Sequence, residues 1–248
     1  MLELTLETRV DLARSDARHG LGLFETIRIQ DGTPHWLELH LERLATGCAF
    51  LGLEAPPDAE AVREFLSSHR LCTHLERGIL RLIAADGALR AFAGPMDGTS
   101  PQSASLGLSA ETVRFSGNPL NRFKTLSYLE NLRLSREASR RGLFEVVALN
   151  ERGHLSDGGR TSLFLLRKGR LLTPPVTEGA LPGIARRLLL EAGLASELPL
   201  DREDLERAEG ILLANALRGA IPVAWVEDRP IGLDSSLPVI RLAFEKLM

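Results

Sequence analysis

The sequence predicts an α+β (mixed α/β) chain in two parts. Strand-like runs dominate both halves, helices fall between them irregularly, and a polar stretch, Phe115 to Asn121, interrupts the chain near its midpoint. That irregular order argues against a doubly wound βαβ nucleotide fold. Gly158-Gly159 does not supply a dinucleotide fingerprint, and no P-loop is present. The expected division is a smaller N-terminal α/β domain over 1–115, a linker over 116–121 and a larger C-terminal domain over 122–248.

A chain of 248 residues suffices for two modest domains, and 44% apolar residues with few aromatics predict aliphatic cores. The net charge is −3 with both signs interspersed, so no basic block exists to follow a phosphate backbone and nucleic acid is not an expected partner. No run is suited to spanning a bilayer, and the opening residues alternate instead of forming a signal peptide. A cytoplasmic protein with no membrane partner is expected. Cys48 and Cys72 sit within apolar helical patterns and read as core thiols. His69 and His74 have no third ligand nearby, so no metal site is expected.

In chain order, Met1 to Glu7 alternates like a strand, as does Leu23 to Ile29, whose β-branched content suits one. Asp31-Gly32 signals a hairpin returning over Thr33 to Trp36. Leu37 to Leu51 is an amphipathic helix on which His40 and Arg43, three apart, share a face. On the residues alone that face reads as solvated. Asp58 is placed to cap a second helix ending near Cys72. Gly78 to Ala85 reads as a buried strand, and Ala104 to Val113 as the last strand of the first half.

Lys124 follows the linker and leads into a helix that Gly142 ends. Phe144 to Leu149 and Leu163 to Leu166 are apolar strands flanking the run Leu155 to Ser162. At Leu181-Pro182-Gly183-Ile184 a further helix begins, and the free amides of such a helix start attract anions. Gly210 to Ala214 is a strand stopping at Asn215-Ala216-Leu217-Arg218-Gly219; another runs from Ile221 to Val226, and Leu237 to Leu247 closes the chain as a helix.

Six short motifs, taken in order and spacing, resemble the class IV aminotransferases, the pyridoxal-phosphate enzymes of fold type IV. They are Phe24-Glu25-Thr26-Ile27-Arg28, His40-Leu41-Glu42-Arg43-Leu44, Lys124-Thr125, the Asp157 to Phe164 run, Leu181-Pro182-Gly183-Ile184 and Asn215-Ala216-Leu217. The resemblance covers about Gly20 to Pro222. It implies two domains with pyridoxal 5'-phosphate between them, a homodimer and a small-molecule substrate. Lys124 would hold the cofactor through its amine and then transfer a proton. Arg43 would bind the cofactor phosphate, aided by backbone amides at Ile184 and Ala185 and at Asn215 and Ala216. Asp157 would face the pyridine nitrogen.

The chain departs from the family pattern at three positions. Asp157 stands where glutamate is usual, Ser162 where asparagine is usual, and Ala185 in place of threonine. The Asn215 to Gly219 segment with Pro222 looks most like 4-amino-4-deoxychorismate lyases, which release 4-aminobenzoate and pyruvate for folate synthesis. Arg28 and Arg90 are then candidates for the substrate carboxylates, with a structural ion pair as the other reading of each. A transaminase acting on D- or branched-chain amino acids is the alternative, and a non-catalytic cofactor-binding member a further one.

Overall fold

The computed structural model describes residues 1–7, 9, 18–96, 98 and 101–248, in two compact units. The first comprises Met1–Gly98 with Phe123–Tyr128, the second Thr99–Arg122 with Leu129–Met248.

The first unit holds a five-stranded sheet of β1 (Glu3–Thr5), β2 (Leu23–Gln30), β3 (Thr33–Pro34), β4 (Arg77–Ala85) and β5 (Ala88–Pro95), ordered β1-β5-β4-β2-β3. Helices α1 (Leu37–Leu51) and α2 (Ala59–Ser68) lie between β3 and β4 in the chain. Along β2 burial alternates, so Leu23, Glu25, Ile27 and Ile29 are buried while Phe24, Thr26 and Arg28 on the other face are partly so. Leu23, Ile27 and Ile29 share a core with Leu37, Leu41, Leu44 and Cys48 of α1 and with Val62 and Leu66 of α2. Cys48 and Cys72 are free and buried, and burial pushes both thiols up to about 11. Asp58 caps α2 as expected, accepting from Ala61 N at 2.8 Å.

The second unit is built on nine strands: β6 (Ala104–Arg114), β7 (Glu145–Asn150), β8 (Leu155–Gly158), β9 (Ser162–Arg167), β10 (Arg170–Thr173), β11 (Ala195–Glu197), β12 (Gly210–Asn215), β13 (Gly219–Val226) and β14 (Arg229–Pro230). Their order is β11-β10-β9-β12-β13-β6-β7-β8, with β14 on β13. Four helices accompany them, α3 (Leu129–Arg140), α4 (Ile184–Glu191), α5 (Arg202–Arg207) and α6 (Pro238–Leu247). Val147 faces one core with Leu163, Leu165, Ile211 and Ile221, while Val146 and Ala148 face Leu134 and Ala138 of α3. Covering on both faces explains why Phe144 to Leu149 reads as a continuous run and not an alternation.

Two features depart from the division expected at 115–122. Strand β6 lies parallel to both β7 and β13, so it belongs to the second sheet instead of closing the first half. Lys124 lies in the first unit, because its segment pairs with β2: Phe24 N donates to Lys124 O at 2.8 Å and Leu126 N to Gly22 O at 2.9 Å. Pairing partners distant in sequence decide both placements. Phe164, fully buried in β9 between two strands and on the face opposite Leu163 and Leu165, is the side chain whose loss should cost the second unit most. Phe164→Ala should cost about 3 to 5 kcal/mol, read as a lowered urea midpoint; a change under about 1 kcal/mol would show that its surroundings can collapse around the void.

Candidate active site

The first unit concentrates charge around one carboxylate. Glu25 projects from the buried face of β2 towards α1 and has 1% of its surface exposed. Arg43 grips it with two hydrogen bonds, Nε to Oε1 at 2.8 Å and an Nη2 bond to Oε2 at 2.6 Å. His40 Nδ1 lies 2.7 Å from the same Oε2. Burial pushes the Glu25 carboxyl up, but the Arg43 charge and the hydrogen bonds from His40 and Arg43 outweigh it and hold the group at about 2. His40 is driven below its ordinary range, first by burial, against the opposing pull of Glu25. A carboxylate only accepts, so Nδ1 of the neutral ring carries the proton and Nε2 is an acceptor. Among the described residues Nε2 has no hydrogen-bond partner. His40 therefore is not on a solvated face; helix α1 turns it, fully buried, towards β2.

Lys124 is half-buried in the same unit. Its Nζ donates to the Tyr128 hydroxyl at 3.3 Å and lies over the rings of Phe24 and Tyr128. Arg28 donates to His35 Nδ1 at 3.1 Å and stacks on Trp36. Burial, and then the Arg77 charge, push Arg28 below its ordinary range. Arg90 is committed to the backbone, giving hydrogen bonds to Ala85 O and Arg9 O, with Asp86 3.9 Å away. It clamps the β4–β5 turn.

The second unit holds the other expected residues. Asp157, on β8, accepts from Leu181 N at 2.9 Å through Oδ2, and its Oδ1 lies 3.2 Å from Nη2 of Arg114. Arg114, at the end of β6, is itself buried and donates to Asn131 of α3. Its side chain crosses Gly179, where a Cβ would meet Arg114 Cγ at 2.7 Å and where φ is +92°. A glycine is required there on both counts.

The loop after Asp157 is pinned by the wholly buried Glu145, which accepts from Gly159 N, Arg160 N and Thr161 Oγ1 at 2.9 to 3.2 Å. A Cβ on Gly158 would come 2.6 Å from the Glu145 carboxyl carbon, and one on Gly159 2.7 Å from Asn131 O. These two glycines thus serve close packing.

Helix α4 begins at Gly183, whose lack of a side chain leaves the first-turn amides of Ile184 and Ala185 uncapped. A Cβ on Gly183 would lie 2.9 Å from Ser162 Oγ, so hydroxyl and helix start are neighbours. Asn215 binds Leu217 N and Arg218 N through Oδ1 and Arg160 O through Nδ2, which folds the turn carrying Ala216.

Residues 22–226 match the family model for amino-transferase class IV. The chain belongs to that family. It is 26% identical to the aminodeoxychorismate lyase of Bacillus subtilis over 252 residues, covering 92% of this chain and 86% of the relative. It is also 26% identical over 243 residues to a bifunctional aminodeoxychorismate lyase and D-amino acid transaminase of Mycobacterium tuberculosis, with coverage of 86% and 84%. A fold IV transaminase of Curtobacterium pusillum superposes with a TM-score of 0.80 at 26% identity, over 97% of this chain and 88% of that one. This class IV aminotransferase is an enzyme, and its family's cofactor is pyridoxal 5'-phosphate.

The motifs pointed to Lys124, Arg43 and Asp157 but gave no role to Glu25, Tyr128, Arg114 or Glu145. A charge inside the apolar run Phe144 to Leu149 was the readable sign of Glu145. Arg114 left none.

The Glu25 group makes a pH prediction. A carboxyl whose folded value, about 2, lies below its ordinary 4.5 stabilises fully above pH 4.5 and loses that contribution as the pH falls towards 2. Glu25→Gln should cost about 3 to 5 kcal/mol at pH 7, since Arg43 loses its counter-charge. It should also flatten the fall in melting temperature between pH 5 and pH 3. An equally steep fall in the variant would place the acid sensitivity elsewhere.

Proposed function

We propose that this class IV enzyme is a 4-amino-4-deoxychorismate lyase, forming 4-aminobenzoate and pyruvate. The residues present fit pyridoxal 5'-phosphate. The uncapped first turn of α4 beside Ser162, with no space for a side chain at Gly183, is a cradle for a phosphate. Arg43, whose guanidinium Glu25 orients, would supply a cation for the phosphate, as the family resemblance implies. Ile184, Ala185, Asn215 and Ala216 would supply amides, and Lys124 the amine that holds the cofactor. When bound, the cofactor supplies an electron-accepting ring for the charge that develops at the substrate carbon.

The observation that carries the lyase reading is the state of Asp157. Its carboxylate is shared by the Leu181 amide and the Arg114 guanidinium, so both oxygens are already engaged within the chain. An elimination that makes an aromatic ring needs less electron withdrawal than a proton shift on an ordinary amino acid. The Asn215–Gly219 turn with Pro222 supports the same branch. Lys124, displaced by the substrate amine, would remove the proton from the amine-bearing carbon while the C–O bond to the enolpyruvyl group breaks. The departing enol takes up a proton and becomes pyruvate. Arg28, with its planar donors, is the candidate for a substrate carboxylate; Arg90 is left out because the backbone occupies it. A homodimer in the cytoplasm completes the proposal.

Transamination of D- or branched-chain amino acids is the second reading, favoured by the bifunctional relative. The test is to mix the chain with pyridoxal phosphate and aminodeoxychorismate, following absorbance and 4-aminobenzoate fluorescence. The lyase predicts a visible band and then fluorescent product, and Lys124→Ala should lower turnover at least about a thousandfold. A band with keto-acid formation from amino acids, and no 4-aminobenzoate, would establish the transaminase instead. A band with no turnover on any amine would leave a non-catalytic member.

A further inference from the structure

Lysine is rare in this chain: three residues, Lys124, Lys168 and Lys246, among 30 lysines and arginines. Lys168 and Lys246 are exposed, while Lys124 is half-buried in an aromatic setting. Its Nζ lies 4.3 Å from the Phe24 ring centroid and 4.6 Å from that of Tyr128. The two rings meet edge to face, with centroids 5.0 Å apart and planes at 90°.

The backbone builds this arrangement. Leu23 bridges Thr125 in antiparallel register, which sets Phe24 opposite Lys124. Residues directly opposite in an antiparallel pair share a face. The edge of β2 used here is the one that β3 leaves open, since β3 pairs only with Ile29 and Gln30. Gly22 permits the approach: a Cβ there would come 2.7 Å from Leu126 Cδ1 and 2.8 Å from Ala84 O. Four residues after Lys124, Tyr128 brings its ring and hydroxyl back to the amine.

We infer that Phe24 and Tyr128 form a cradle that holds and aims the Lys124 amine as a cation whenever it is not covalently engaged. This deepens the proposed function, on which it rests for the reactivity of Lys124. Two aromatic faces and a phenol oxygen stabilise an ammonium, but less than a buried carboxylate would. The amine is thereby oriented, which a nucleophile and base requires. The charged groups around the cradle are consistent with this. Arg28 lies further along the Phe24 face of β2. On the other face Glu25 is shared by Arg43 and His40, and burial keeps His40 neutral. Phe24 and Tyr128 are positioning residues.

The test is a pH titration of the full chain, labelled with ¹³C at lysine Cε and studied by NMR without added cofactor. Lys168 and Lys246 serve as internal controls. Phe24→Leu and Tyr128→Leu should each lower the Lys124 proton affinity about threefold, a midpoint shift of about half a pH unit. Tyr128→Phe keeps the ring and should give a smaller shift in the same direction. The controls should not move. An unchanged Lys124 midpoint in folded Tyr128→Leu and Tyr128→Phe would overturn the cradle, and these two variants decide it even if Phe24→Leu fails to fold. A wild-type chain that takes up no pyridoxal phosphate yet shows the shifts would sink the proposed function and keep the cradle. Uptake without the shifts would do the reverse.

Discussion

A carboxylate cut off from water governs the first unit. Glu25 projects into a core of leucine and isoleucine, where an unpaired charge is far too costly to persist. It is tolerated because Arg43 meets both oxygens and His40 adds a third hydrogen bond. Those bonds join β2 to α1 and fix the direction of the Arg43 guanidinium. Such a pair is weak evidence for stability, since an apolar replacement is often neutral or better. What it secures is orientation: a cation of defined direction on α1.

The second unit handles its buried acids by other means. Glu145 is as buried as Glu25, yet its carboxyl is raised where that of Glu25 is lowered. Burial is the largest cause for both. Glu25 has a guanidinium bound to it, whereas Glu145 is met mostly by backbone N–H groups and one hydroxyl, so burial wins. Its task is to hold the Gly158–Thr161 loop between Asp157 and Ser162. Glu178 is a third case, drawn low against burial by His154, Asn150 and Arg152, and it anchors the turn that leads to Leu181 and α4. Asp157 and the helix start are thus placed by buried polar groups, which tolerate little displacement.

Much of this was legible locally. The Asp58 cap, the Gly142 helix end and the apolar runs of β4, β7 and β9 follow from capping, turn chemistry and burial, each of which acts over a few residues. His40 was not. Its spacing from Arg43 places the two on one helical face, but whether that face meets water or a carboxylate depends on β2, fifteen residues earlier. Arg90 looked available for a carboxylate until the Ala85 and Arg9 carbonyls occupied it.

The sequence by itself determined the family, the α+β class and the reactive residue types, because motif order and hydrophobic period are properties of the chain alone. Tertiary structure decided the rest. It assigned β6 to the second sheet and Lys124 to the first unit, since strand pairing joins residues that no local pattern connects. It put Arg114 against Asp157, and Phe24 and Tyr128 around Lys124. The strength of an acid or an amine depends on charges, donors and rings within a few ångströms, and only the folded chain brings those together.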